Sequence, residues 1–218
     1  MNQLVTTADG SHTIFVPELN EHYHSVNGAV QESEFIFIKN GFDDCNADPV
    51  RIFEVVFGTG LNALLTAVKA IRLRKEVFYT TIEKFPLAEH KINSLNHNCF
   101  AGENGKEIFN RIHSAGWGVM CRISPFFSLL KIKGDLITDS ITGNYDLIYF
   151  DAFGPGKQPG MWTREILAKI SEVTVSGGLF VTYSAKGEVK RNLRACGFTV
   201  KVTDGPPGKR HMVRAIKI

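Results

Sequence analysis

The 218-residue chain has only four cysteines, Cys45, Cys99, Cys121 and Cys196, and no two of them form a C-x-x-C pair. That excludes a disulfide framework or a thiolate zinc site of ordinary spacing, and leaves reduced thiols in a cytoplasmic protein as the expectation. No apolar run approaches the roughly 20 residues a membrane helix needs. There is no early apolar segment of signal type either, so no membrane partner is expected. Internal repeats and low-complexity tracts are missing, and nothing marks a linker. One-sided charge is missing too. Lys and Arg number 25 against 22 Asp and Glu, a net charge of +3. Such a mild excess permits a nucleic-acid partner without requiring one.

The chain does have enough apolar material, 44% of its residues, to fill one well-cored domain with a small appendage. Residues 1–48 read as a β-rich extension of turns and short strands, TIFVPEL and EFIFIKNG among them. From residue 49 to 218 the style changes. RIFEVVF, VFYTTIE, FSLLKIKGD, YDLIYFDAF and GGLFVTYSA read as strands. Between them NALLTAVKAIRLRK, PLAEHKINSLNHN, MWTREILAKISEV and KGEVKRNLRACG carry helical spacing, and KEIFNRIHSAG does so within an otherwise unreadable stretch. This alternation predicts an α/β fold, a mostly parallel sheet covered on both faces. FTVKVTDG and HMVRAIKI have no helix between them, which predicts an antiparallel hairpin at one edge.

Ligands of such sheets gather at the carboxyl ends of the strands. There Gly58 and Gly60, in VVFGTGLNAL, end one strand and open a helix. Lacking a Cβ, they allow positive φ and close approach of a ligand to backbone, although a tight strand–helix turn explains them as well. Glu83, at the end of the next strand, can accept from both hydroxyls of a ribose. Glycines plus strand-end acid point to an adenosine-containing ligand, with NAD and S-adenosylmethionine both open. The G-x-G-x-x-G pattern is incomplete, because Val56 precedes Phe57 and Ala63 takes the third place. A ligand without a pyrophosphate fits better. Asp135 could take an adenine amino group or be a solvated turn acid. Asp151, delivered by YDLIYF into a loop of Gly, Pro, Lys and Trp, reads as a carboxylate poised over a reactive centre, the alternative being an acid that caps the next turn. His22 and His24 lack a third ligand at sensible spacing, so no metal is expected.

FGTGLN, EKFPL and DAFGPGKQPGMW, in that order, resemble the methyltransferase half of the bifunctional tRNA 5-methylaminomethyl-2-thiouridine biosynthesis protein MnmC. The resemblance extends back through HYHSVNGAVQESEFIFI and forward through TYSAKGEVKRNLRACGF to GKRHM, nearly the whole chain. It implies a class I methyltransferase fold with a seven-stranded sheet, S-adenosylmethionine as cofactor and tRNA as substrate, the methyl group going to the aminomethyl group of a wobble uridine. It further implies that Glu83 with Lys84 holds the ribose, Asp135 the adenine side, and Gly58, Thr59, Gly60 and Asn62 the methionine end. Tyr23, Ser25 and Glu32 would help close the site, with Asp151 beside the transferred methyl. Two positions depart from the family pattern: Val56 replaces a glycine, and Gly160 stands where the loop before Trp162 carries an acid. The chain stops at Ile218 with no second dinucleotide fingerprint, so the family's FAD-dependent oxidase half is not expected. The amine would arrive already exposed, through a link to the enzyme that makes it.

An amine acceptor must be neutral to attack, and Asp151 can take its proton directly or through water. For tRNA, the candidate phosphate contacts are Lys157, Lys186, Lys190, Arg191, Arg194, Lys209, Arg210 and Arg214, with an ordinary solvated face as the alternative. Phe153 is a candidate for stacking on a splayed uridine, whereas Trp162 reads as a loop anchor. Two other readings stay open: a nicotinamide-dependent dehydrogenase, and a non-catalytic tRNA-binding protein whose cofactor cleft has degenerated at Val56.

Overall fold

The computed structural model describes residues 2–218. Its first strands, β1 (Gln3–Thr6), β2 (His12–Val16) and β3 (Glu21–His22), form a small antiparallel sheet. A short helix, α1 (Ala29–Ser33), then runs into nine residues of π-helix, Glu34–Phe42. This is the segment EFIFIKNGF, which the sequence predicts as a strand. The exposed positions Glu34, Lys39 and Asp43 recur every four or five residues, and Asp43 N–H donates to the carbonyl of Ile38, five back, at 2.8 Å. Wide turns let Ile36, Phe37, Ile38 and Phe42 all stay buried.

The remaining strands build one sheet. They are β4 (Val50–Val55), β5 (Val77–Glu83), β6 (Met120–Ser124), β7 (Phe127–Lys133), β8 (Tyr145–Phe150), β9 (Thr174–Thr182), β10 (Phe198–Asp204) and β11 (His211–Lys217). Their order is β10-β11-β9-β8-β4-β5-β7-β6. The five strands from β9 to β7 are mutually parallel, and the expected hairpin of β10 and β11 closes one edge antiparallel. At the other edge β6 adds an eighth strand, antiparallel to β7. Its residues MCRIS are mostly solvated at the edge, so no clean alternation announces them. The helices are α2 (Leu61–Leu73), α3 (Glu89–Ile92), α4 (Gly105–Ser114), α5 (Arg164–Val173) and α6 (Gly187–Ala195).

Strand pleating sorts the core onto two faces. Ile52, Leu147 and Tyr149 point to one, where they meet the π-helix residues Phe37 and Phe42, α2 and α4. Phe53, Ile148 and Phe150 point to the other, against α5, α6 and Trp162. Each fully buried large side chain contributes about 1.5–3 kcal/mol. Ile14 lies in the first cluster, so the amino-terminal segment shares the main core. Two local devices fix helix ends. Thr163 caps α5 by accepting from Ile166 N–H at 3.4 Å, and buried Lys131 donates to the last-turn carbonyls of α4, Ile112 and His113, at 2.9 and 3.0 Å. Because β4 has β5 on one side and β8 on the other, the chain reverses its winding there. The carboxyl ends of these three strands face one crevice.

Candidate active site

Two adjoining cavities open along that crevice. The larger, about 670 Å³, is lined by Glu83, Lys84, Asp135, Leu136 and Met161. The smaller, about 290 Å³, is lined by Glu32, Asp151, Tyr183 and Lys209. Tyr23, Val56 and Phe153 belong to the walls of both, and the Tyr23 and Phe153 rings meet edge to face at 5.1 Å. Glu83 and Asp151 therefore share a partition rather than a single chamber.

Glu83 ends β5 and is 6% exposed. Its Oε2 accepts from Gly58 N–H at 3.0 Å and its Oε1 from Phe85 N–H at 2.8 Å. Burial pushes its pKa up, and those backbone donors hold the rise back. Each oxygen keeps a further lone pair for a ligand in the larger cavity. Lys84 pairs with Asp135 at 2.7 Å, and that hydrogen bond keeps the Asp135 carboxyl below the ordinary range. Asp135 Oδ1 also accepts from Ile137 N–H.

The glycine turn is positioned differently from a bare cradle. Gly58 has φ +53°, and a Cβ there would come within 2.9 Å of the Tyr23 ring, so the group pressed against Gly58 is Tyr23. A Cβ on Gly60, at φ +73°, would meet Phe57 and His113. Thr59 and Asn62 are buried beneath the turn. Val56 has φ +72°, a conformation that a β-branched residue adopts at a cost of about 1–2 kcal/mol. Val56→Gly should therefore leave stability within about 1 kcal/mol, relieved strain being offset by unfolded-state entropy. It should also tighten cofactor binding several-fold by thinning the partition. Calorimetry that showed weaker binding in this variant would mean that the valine side chain is a contact, not an obstruction.

Asp151 follows β8 directly, and its N–H donates to Val55 O at 3.2 Å. Asn62 Nδ2 donates to its Oδ2 at 2.9 Å. Burial, seconded by the negative charge of Glu32, raises its pKa to about 8; Asn62 and the charge of Lys209 oppose the rise. Near Asn62 lies Glu54, fully buried in β4 and also raised to about 8 by burial, with Thr81, Asn62 and Tyr79 around it but neither carboxylate oxygen hydrogen-bonded. Glu54 is not among the residues expected at the site, although an acid inside an otherwise apolar strand is itself a signal. Nor is Tyr183 among them; its hydroxyl donates to Ala152 O at 2.8 Å beside Asp151. Ser25 N–H donates to Glu32 Oε2 at 2.8 Å.

The basic residues separate into groups. The Lys186 ammonium lies against Gly156, the residue before Lys157, where a Cβ would be 3.4 Å from it. Lys186 precedes α6, Lys190 and Arg191 lie in its body, and Arg194 falls in its last turn. Arg210 is exposed in the loop between β10 and β11. Arg214 departs from the expected group, since it pairs with Asp44 at 2.5 Å from within β11. Lys209 also departs, because its ammonium enters the smaller cavity. Trp162 is an anchor: it is 2% exposed and its Nε1 donates to Phe153 O at 2.7 Å. Gly160 lines neither cavity, its Cβ position touching Ile137 at 3.3 Å. His24 does not behave as an ordinary polar residue. It is buried, its ring lies edge-on to His97, and burial lowers its pKa to about 4.

Residues 130–218 match a family described as S-adenosyl-L-methionine-dependent methyltransferases. The tRNA 5-methylaminomethyl-2-thiouridine biosynthesis bifunctional protein MnmC of Campylobacter hominis is 29% identical over 206 residues, 93% of this chain and 31% of that protein. Its counterpart in Pseudoalteromonas atlantica is 30% identical over 233 residues, 96% of this chain and 32% of that protein. The crystal structure of MNMC2 from Aquifex aeolicus superposes with a TM-score of 0.78 at 26% identity, covering 99% of this chain and 70% of the other. Over nearly its whole length the chain is similar to the methyltransferase part of MnmC. It spans about a third of the length of the curated relatives it matches. These matches support neither the dehydrogenase reading nor the non-catalytic one. Its cofactor is S-adenosyl-L-methionine. The site of this MnmC-like domain fits that ligand. The larger cavity has a buried acceptor carboxylate in Glu83 for sugar hydroxyls, apolar walls in Leu136 and Met161, and the shared wall of Tyr23, Val56 and Phe153 on the side of Asp151.

Proposed function

We propose that the domain methylates the aminomethyl group of a wobble uridine in tRNA, converting 5-aminomethyl- to 5-methylaminomethyl-(2-thio)uridine. One observation carries this reading: a nucleoside-sized cavity with a strand-end acid adjoins a small acidic cavity containing Asp151 and Glu32, with only three side chains between them. An acidic cavity suits an ammonium-bearing acceptor. The bound cofactor supplies an electrophilic methyl group. In this assignment Glu83, with Lys84 and Asp135, holds the adenosine part. Thr59, Gly60 and Asn62 support the turn under the methionine part, and Tyr23 closes it. Asp151 accepts a hydrogen bond from the acceptor amine and takes its proton, while Asn62 keeps the carboxylate oriented. Phe153 forms the face on which the uridine stacks.

The reading places the protein in the cytoplasm, with the tRNA pool, and links it to an enzyme that makes aminomethyluridine. Among the described residues no helix is long and apolar enough to cross a membrane. The direct test is methyl transfer to tRNA bearing 5-aminomethyluridine, read by nucleoside mass spectrometry. No methylated nucleoside after single-turnover incubation would overturn the reading.

Lys157, Lys186, Lys190, Arg191 and Arg210 are the proposed phosphate contacts. Replacing Lys186 and Arg191 together by alanine should weaken tRNA binding and flatten its log–log salt dependence by about two. An unchanged slope would remove this edge from the tRNA path.

A further inference from the structure

Lys209 lies on the loop 205–210 that joins β10 to β11. The turn is closed by Lys209 N–H donating to Pro206 O at 2.9 Å and Gly205 N–H donating to Arg210 O at 3.1 Å. Gly208, at φ +85°, sits so tightly against Asn27 that a side chain there would overlap it. The loop from the last hairpin thus rests on the amino-terminal segment, and these two sequence-distant pieces roof the smaller cavity. Arg210 is exposed, whereas the Lys209 side chain turns inward. Its ammonium pairs with Glu32 Oε1 and stands 3.8 Å from the centroid of the Tyr183 ring. Glu32 is only 7% exposed, and its other oxygen accepts from Ser25 N–H.

An acidic oxygen, an aromatic face and a nearby second carboxylate are what a compact alkylammonium needs in order to bind out of water. The end of a lysine is such a group, CH₂–NH₃⁺, and so is a protonated aminomethyl substituent. Glu32 and Asp151 repel each other across the cavity, and the charge of Lys209 opposes that repulsion. A second ammonium cannot enter while the first remains. The geometry points to Lys209 as an internal stand-in for the acceptor amine: its ε-ammonium holds the position that the substrate's aminomethyl group takes, and gives up Glu32 when substrate arrives. This rests on the methyl-acceptor reading above. It adds that the acceptor is a primary ammonium recognised by Glu32 and the Tyr183 face, and that Lys209 sets how strongly the empty site resists it.

The test compares binding of two tRNAs, one with 5-aminomethyluridine and one with plain uridine at the wobble position, to parent, Lys209→Met and Lys209→Arg, without methyl donor. In Lys209→Met the preference for the amine-bearing tRNA should rise about tenfold, the worth of one partly buried charge contact. Affinity for the plain tRNA and its salt slope should stay unchanged, and Lys209→Arg should show no such gain. A phosphate contact would instead weaken both tRNAs together and flatten the slope. A purely structural lysine would lower the melting temperature without altering the preference. Either result, or a preference that falls, overturns the stand-in. If the parent methylates the amine-bearing tRNA while the preference is indifferent to Lys209→Met, only this inference fails. If the parent neither methylates nor discriminates, the methyl-acceptor reading fails and takes the stand-in with it.

Discussion

Asp151→Asn keeps the fold and loses methyl transfer by about 10²–10⁴-fold, the usual worth of a positioned general base. The substitution is conservative in shape: Asn62 Nδ2, 2.9 Å from Asp151 Oδ2, can donate equally well to an asparagine oxygen. What disappears is the capacity to take a proton. In the parent, with Asp151 raised to about 8, the rate should climb as pH rises through that value, and the variant should lack this limb. Stability moves the other way. The folded state holds the Asp151 proton more tightly than the unfolded chain does, so its contribution is complete below about pH 4 and is lost as pH rises through about 8. The variant should therefore melt higher than the parent near pH 8 to 9 and about equally near pH 4. Any alkaline loss that persists in the variant belongs to Glu54, raised to a similar value. Below about pH 6.5 the sign reverses. His24 and His113, both lowered to about 4 by burial, stay neutral in the fold while the unfolded chain takes up protons. Both proteins should lose stability together on that side. Full methyl transfer by Asp151→Asn would remove this carboxylate from the proton path.

Much of this arrangement was legible because it lives on strand ends. YDLIYF and VFYTTIE are mostly apolar, as central parallel strands are, so an acid at or just beyond their last position has to emerge at the carboxyl rim. Glu83 and Asp151 follow from that alone, whereas Tyr23 and Glu32 came only from family likeness, since nothing local in HYHSVNGAVQE says where that segment lies. EFIFIKNGF misled because residues of high strand propensity are also what a fully buried helix uses, and nine residues do not separate the two periods. Lys209 reads in sequence as a phosphate contact, because it is a basic residue in a hairpin loop. Which way it turns depends on Gly208 seating the loop against Asn27, a contact between residues 181 positions apart that no local pattern encodes.

Glu83→Gln should separate binding from chemistry in the opposite sense to Asp151→Asn. The Glu83 carboxylate accepts from two backbone donors, Gly58 and Phe85, through different oxygens. A glutamine offers one acceptor and turns an NH₂ toward the other donor, leaving a buried N–H without its partner at a cost of about 1–3 kcal/mol. For a chain of this size that corresponds to a melting temperature lower by roughly 2–10 °C. In the proposed assignment the same carboxylate also accepts from sugar hydroxyls, and a site built to hydrogen-bond a hydroxyl is sensitive to loss of its acceptor. The dissociation constant for S-adenosyl-L-methionine should rise about 10²-fold in Glu83→Gln and change little in Asp151→Asn, as read by titration calorimetry. Methyl transfer by the Glu83 variant should then recover partly at high cofactor concentration, whereas that of the Asp151 variant should not. If Glu83→Gln melts lower yet binds the cofactor as the parent does, Glu83 serves only to staple the glycine turn to β5. The larger cavity would then lose its claim to the sugar.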